Sequence, residues 1–388
     1  MLESGRVALP PIAVLGLATN PHTTAMLDRI GCKNIPGGCF LACLTAELVA
    51  RGLEVQLLND YLLSREKNEE HPRRAGLIGF GDHLIPESLE NIGLEGLVLV
   101  NLESPIFVPD FFLDFAKISQ GFKHAWVLGA KELQPVTKIP LRQAFFPSFS
   151  EEERRSTVTS NSSQRGYQSL TCMVSSQKYW RATGRARPKQ LAKLLVSASF
   201  RNKYKFLKAI QLHDLRLHLI SSLSRKSLIG LYGEGWSRAS NPRKYRYPID
   251  HKKLSPSALS PGPGIKRDTL QHYRFNLVVE NCRFPGYITE KIFDAFLAGC
   301  VPVYWGAPDV TDFIPAECFV DGFQFKTMRA LEKRLLSMSE EEWEGYRSAA
   351  RAFLDSVGGS QFTYEKAAQE IADLVAHELV SPEAHETS

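Results

Sequence analysis

Residues 275–305, FNLVVENCRFPGYITEKIFDAFLAGCVPVYW, constrain the fold more than any other stretch. The apolar run 275–279 is broken by Glu280 and Asn281, and a Pro285-Gly286 pair follows. A helical pattern then leads into a second apolar run, 301–305. Apolar run, tight turn, helix and apolar run describe a βαβ unit with parallel strands. In open α/β sheets the loop at the carboxyl end of such a strand is where ligands bind. The helix opens at Tyr287-Ile288-Thr289-Glu290-Lys291, with Thr289 as the expected N-cap. Its first N–H groups and its macrodipole favour a phosphate, and Lys291 adds a full positive charge. A second reading stays open: Ile292, Phe293, Phe296 and Leu297 form an apolar face, which would leave Glu290, Lys291 and Asp294 as the solvated one.

The chain has 388 residues, room for two α/β domains of ordinary size, with 44% apolar and 23% charged residues, as in soluble globular proteins. No apolar run approaches the roughly 18 residues of a membrane span. The N-terminal MLESGRVALPPIAVLGL lacks a basic segment ahead of a continuous apolar one, so it does not read as a signal peptide. Seven cysteines with no CxxC pair suit free thiols in a reducing cytoplasm, and Cys39 and Cys43 without histidine neighbours make a poor zinc site. The net charge of +5 is unevenly spread: between Lys178 and Arg274 stand 22 Lys/Arg against 4 Asp/Glu, a local +18. Such a block suits a nucleotide diphosphate, nucleic acid, an anionic membrane surface or simply solvent.

Taken in order, 11–17 reads as a first strand, 39–52 as a helix ending at Gly52, and 55–58 as a strand. Residues 64–75 read as a charged loop, 96–105 as a strand ending in a polar elbow, and 124–130 as a further strand. The Ser/Thr-rich segment 150–176 reads as a surface stretch near a domain boundary. Beyond it, 192–200 reads as a strand, 202–223 as a helix, 228–233 as a strand and 237–267 as a long basic loop. After the 275–305 unit come a short strand in CFVDGFQF and helices near 327–337, 340–357 and 361–379. The domains expected are 1–165, 185–355 and a C-terminal helix and tail, 356–388.

The run YRFNLVVENCRFPGYITEKIFDAFLAGCVPVYWGAPDV closely resembles the donor-binding signature of the α1,3/4-fucosyltransferases of glycosyltransferase family 10. The matching positions are Tyr273, Phe275, Glu280, Asn281, Tyr287, Thr289, Glu290, Lys291, Pro302 and Gly306. The resemblance is densest over 192–325 and patchier over 95–145. It implies an α/β, GT-B architecture: two Rossmann-like domains facing across a cleft. It also implies an inverting enzyme that moves L-fucose from GDP-β-L-fucose to a GlcNAc or glucose hydroxyl of an oligosaccharide or glycolipid acceptor. The chain contains no Asp-x-Asp triplet. A divalent metal is therefore not expected to be essential, and no cofactor is expected beyond the donor itself.

An inverting transfer needs a base for the acceptor hydroxyl and positive charge for the departing diphosphate. For the charge, Lys291 is the first candidate and Arg201, in VSASFRNKYKFL, the second; the resemblance places the family's pyrophosphate arginine at Arg201, with Lys203 and Lys205 as substitutes. It places the ribose-binding glutamate at Glu290 and donor contacts at Tyr287, Asn281, Glu280 and Thr289. Glu280 also reads as a structural hydrogen-bond acceptor at a strand end. For the base, Glu103 in VNLESPIF matches the family's proposed glutamate, with Asp82 and His83 as runners-up. The chain most resembles the bacterial members without a membrane anchor. Its acidic tail lacks their heptad repeats, while the basic block leaves peripheral membrane contact open. Other readings are the same fold with another nucleotide sugar, or a basic polyanion-binding protein. The block has no nucleic-acid motif and few stacking aromatics, so nucleic acid is not an expected partner.

Overall fold

The structure is a computed structural model that describes residues 10–16, 38–66, 73–81, 93–155, 169–175, 198–224, 226, 228–233 and 263–380. Among these residues the chain forms two compact units, each built on a parallel sheet. The first comprises residues 1–103, 110–144 and 364–388; the second comprises 104–109 and 145–363.

In the first unit the strands are β1 (Ile12–Gly16), β2 (Glu54–Leu57), β3 (Ala75–Phe80), β4 (Glu95–Asn101), β5 (Phe122–Val127) and β6 (Leu141–Gln143), in the order β2-β1-β3-β4-β5-β6. Helix α1 (Gly38–Ala50) follows β1, and α2 (Leu58–Glu66) follows β2. The expected charged loop at 64–75 is thus partly helix and ends in a strand. AGLIGF has only six residues and no polar alternation, because β3 is buried over most of its length between β1 and β4.

The second unit holds β7 (Ser169–Val174), α3 (Ala198–Ile210), α4 (His213–Ser224), β8 (Ile229–Tyr232), α5 (Pro263–Leu270), β9 (Tyr273–Val279), α6 (Glu290–Ala298), β10 (Val301–Trp305), β11 (Val320–Asp321), α7 (Met328–Ser337) and α8 (Glu340–Asp355). Its strand order is β11-β10-β9-β7-β8. The βαβ unit expected at 275–305 is β9-α6-β10, with Phe275 opposite Val301 and Val279 opposite Trp305. Proline inside β10 is tolerated because β11 pairs only with Val303 and Tyr304, leaving Pro302 outside the ladder on that side. Gly299 closes α6 in the left-handed region, φ 68°, as a helix C-terminus favours.

Four expectations are corrected here. The surface stretch at 150–176 contains β7, which lies between β9 and β8; its six residues are β-prone and the Thr171 hydroxyl is satisfied by the Leu228 carbonyl at 2.7 Å. The strand at 192–200 is helical from Ala198 onward, its earlier part lying outside the described residues. The helix at 202–223 is two helices, because Leu212 N donates to the Asn281 carbonyl at 3.1 Å and Arg283 N to the Ile210 carbonyl at 2.7 Å. Those bonds draw 210–212 out of the helical ladder. The long basic loop ends earlier than 267, at α5, which opens on Pro263 where a helix has no N–H partner to lose.

The last helix, α9 (Tyr364–Val380), belongs to the first unit rather than forming a separate tail. Its apolar face (Ala367, Ala368, Ile371, Ala372, Leu374, Val375, Leu379) is buried. Glu370 accepts from the Trp126 indole at 3.0 Å, and Asp373 pairs with Arg51 at 2.6 Å. Arg74 donates to the Glu378 and Leu379 carbonyls at 2.6 and 3.1 Å, satisfying acceptors that the end of a helix leaves open.

Candidate functional site

The carboxyl end of β9 delivers Glu280 and Asn281 into a loop that turns back at Pro285-Gly286 and enters α6. Gly286 takes φ 67°, a conformation that costs a side-chain-bearing residue energy and glycine almost none. Its N–H is bound by both carboxylate oxygens of Asp309, at 2.8 and 3.1 Å. Asp309 follows β10, so the loop after one strand supports the loop after its neighbour. Gly306 permits the same closeness: a Cβ there would lie 2.2 Å from the Tyr304 hydroxyl and 2.7 Å from Glu280 Cγ.

Glu280 is wholly buried. Its carboxylate accepts from Thr289 N at 3.0 Å and from Lys291 Nζ at 2.9 Å, and the Thr289 hydroxyl lies 2.8 and 3.0 Å from its two oxygens. Lys291 Nζ also donates to Thr289 Oγ1 at 2.7 Å. Thr289 does sit at the N-cap of α6, but its side chain accepts no helical N–H: the buried carboxylate claims the hydroxyl instead. Glu280 therefore acts here as the acceptor that fixes Thr289 and Lys291, the second of its two sequence readings. Burial foremost, and the charge of Glu280 with it, push the Cys282 thiol and the Tyr304 hydroxyl well up, so both stay protonated.

Glu290, in the first turn of α6, keeps about a third of its side chain exposed, 3.6 Å from Lys266 Nζ and 3.7 Å from Lys291 Nζ. Burial raises its pKa, but Lys291 and then Lys266 outweigh that and hold the carboxyl down at about 2. It is an ionised acceptor suited to paired hydroxyls. Lys266 and Arg267 of α5 both pair with buried Asp294 on α6, and Arg267 also pairs with Glu153. Asp294 is thus not on a solvated face. Asn281 donates to the Tyr287 hydroxyl at 3.2 Å, and Tyr287 is buried.

Sequence reasoning missed Arg216, a buried cation of α4 whose Nη2 donates to the Val279 carbonyl at 2.7 Å and lies 3.3 Å from that of Glu280. Burial lowers its pKa to about 10, against the pull of Glu280 and Tyr287. An arginine among apolar helix residues, HDLRLHLISS, was the available signal. Arg201 lies in the first turn of α3, and its side chain is outside the described set; Lys203 is half-buried and Lys205 exposed. The structure thus gathers Glu280, Asn281, Tyr287, Thr289, Glu290 and Lys291 at one strand end.

Glu103 belongs to the first unit, exposed two residues beyond β4. Its backbone N donates to Asn101 Oδ1 at 3.0 Å, and Asn101 Nδ2 reaches back to the Glu103 carbonyl at 3.4 Å. Buried Asn101 thus shapes the elbow that presents the carboxylate, a support that sequence reasoning also missed. Asp82 and His83 lie outside the described residues. Among the described residues no cluster of His, Cys, Asp or Glu could hold a metal ion, and no helix is long and apolar enough to cross a membrane.

Residues 200–349 match the family model "Glycosyltransferase family 10 (fucosyltransferase) C-term". This segment is similar to the family 10 domain. An alpha-(1,4)-fucosyltransferase of Arabidopsis thaliana is 44% identical over 62 residues, 16% of this chain and 16% of that protein. An alpha-(1,3)-fucosyltransferase of Helicobacter pylori is 43% identical over 61 residues, 16% of this chain and 13% of its own length. The matched regions span less than a third of the curated relatives' lengths. A solved structure of the DNA-modifying enzyme β-glucosyltransferase aligns over 94% of this chain and 99% of its own at 12% identity, with a TM-score of 0.50. That likeness is one of fold: two parallel-sheet α/β units of GT-B type, with the matched segment 200–349 inside the second.

Proposed function

We propose that the chain is an inverting fucosyltransferase that uses GDP-β-L-fucose as donor and a GlcNAc or glucose hydroxyl of a glycan as acceptor. The observation that carries this reading is the first turn of α6: Lys291, held by Glu280 and Thr289, stands beside ionised Glu290 at the carboxyl end of β9, within the segment similar to the family 10 domain. Lys291 and the helix N-terminus stabilise the diphosphate as it leaves. Glu290 accepts from ribose hydroxyls, and Tyr287, oriented by Asn281, lines the donor position. Arg201 supplies a second positive charge. Glu103 takes the proton from the attacking acceptor hydroxyl, a step general bases accelerate by roughly 10²–10⁴-fold. Fixed cations take the role a divalent ion plays elsewhere, so no metal is required.

Purified protein supplied with GDP-fucose, other GDP-sugars or UDP-sugars, in EDTA and with or without lactose and N-acetyllactosamine, tests the reading. Acceptor-stimulated GDP release from GDP-fucose alone is expected. Release from another donor would replace the sugar and keep the mechanism; no release from any donor would overturn the enzyme.

A further inference from the structure

A row of charged side chains alternates in sign across the start of α6. Glu153 pairs with Arg267, Arg267 with Asp294 at 3.3 Å, and Asp294 with Lys266. Lys266 Nζ then stands 3.6 Å from Glu290, Lys291 Nζ 3.7 Å from Glu290 and 2.9 Å from Glu280. Every cation in the row serves two acids. Apolar packing creates the arrangement: Leu270 of α5 shares a buried cluster with Ala295 and Ala298 of α6, whose small side chains let the helices approach. Lys266, one turn before Leu270, is thereby set against the first residues of α6.

Glu290 and Asp294 are carboxylates one turn apart on the same helix, and such a pair repels. Asp294 is buried and cannot turn to water, whereas Glu290, about a third exposed, can. Lys266 is the cation that both share. Burial works against its charge, but Asp294 and then Glu290 outweigh that and raise its pKa. Lys291 has the weaker claim on Glu290, because its ammonium is already bonded to Glu280 and Thr289. Both lysines lie nearest to the same oxygen of Glu290, Oε1. A carboxylate gripped through one oxygen keeps a fixed direction for the other, as an acceptor of hydroxyl groups must.

We propose that Lys266 is a positioning residue for nucleotide recognition: by bridging Asp294 and Glu290 it aims the Glu290 carboxylate at the ribose hydroxyls and sets a preference for ribonucleotides. The inference rests on the reading of Glu290 as the ribose acceptor.

Calorimetry on the full chain, with GDP and 2′,3′-dideoxy-GDP as probes, tests it. The parent protein is expected to bind GDP at least about tenfold tighter, the scale of hydrogen bonds to a charged acceptor. Lys266→Met should bring the two nucleotides within about threefold, and Lys266→Arg, which restores the charge, should recover most of the preference. Glu290→Gln should lose the preference as well. Adding Lys266→Met to that variant should remove nothing more, since one residue acts through the other. A merely structural lysine would weaken both nucleotides alike. A ratio unchanged in Lys266→Met, a loss that arginine does not lessen, or additive losses in the combined variant would each overturn the proposal. Should Lys266→Met not fold, Lys266→Met with Asp294→Asn strands no buried acid and decides by the same ratio. Failure of the parent protein to bind GDP would sink this proposal and the transferase reading together; GDP bound with an unchanged ratio would sink this one alone.

Discussion

Lys291 Nζ stands 2.9 Å from an oxygen of Glu280, a carboxylate with no exposure to solvent. The lysine is therefore placed before any donor arrives. Lys291→Ala should cut donor turnover per folded molecule by about 10²–10³-fold, as removal of a fixed donor to developing charge does elsewhere. It should also lower stability by about 3 kcal/mol, because it strands a buried charge. Denaturant melts and initial rates separate the two effects; turnover near that of the parent protein would remove Lys291 from the mechanism.

The bond between Asp309 and Gly286 N–H ties the donor loop to the strand beside it. Asp309→Ala should raise the donor KM by about tenfold, the scale of one lost charge-assisted hydrogen bond. Asp309→Asn, which still offers an amide oxygen, should recover most of that loss. An unchanged KM in the alanine variant would show that the turn holds itself.

Gly306 has no room for a methyl group beside the Tyr304 hydroxyl and Glu280 Cγ. Gly306→Ala should destabilise the domain by about 1–3 kcal/mol through overpacking and should displace Glu280, so that turnover falls as well. Thermal melts and rates measured together check this; a variant with parental values for both would contradict the closeness.

Glu378 accepts from Lys123 and His124, each at 2.9 Å. Burial raises its pKa, yet those two hydrogen bonds outweigh it and bring the carboxyl down to about 2. A carboxyl depressed on folding stabilises the native state above its unfolded pKa of about 4.3 and loses that contribution as pH falls toward its folded value. Urea titrations between pH 5 and about 2 should show stability falling more steeply in the parent than in Glu378→Gln. Parallel curves would refute this.

Phe293 is buried among Phe149, Phe296 and Phe362, with centroids 5.4, 5.9 and 4.3 Å away. Phe293→Ala should cost about 3–5 kcal/mol of stability by opening a cavity beneath α6. A melt within 1 °C of the parent would refute it.

The second unit was legible where local chemistry and tertiary need agree. The run 275–305 spells strand, turn, helix and strand, and every one of these forms. Thr289 shows the limit: its position before α6 was readable, but its partner was not. That partner lies nine residues back and is buried, and no local pattern marks a hydroxyl competing for a carboxylate. Arg216 and Asn101 were hidden for the same reason, since each acts on backbone atoms whose proximity only the fold creates. β7 was obscured by polar neighbours that its sheet position overrides. α3 begins where a strand was expected because apolar runs of this length do not distinguish the two.

The return of α9 to the first unit has a consequence for synthesis. As the chain leaves the ribosome, residues 1–144 emerge some two hundred residues ahead of the helix that covers Trp126 and packs against α1. The sheet of the first unit must wait, with that apolar face bare, while the intervening unit has all its own segments in hand and can close first. Folding of the first unit thus runs against chain order here, and a later-made segment acts as the latch on earlier ones. A nascent chain stalled before residue 364 should leave that apolar face open to chaperones and to aggregation.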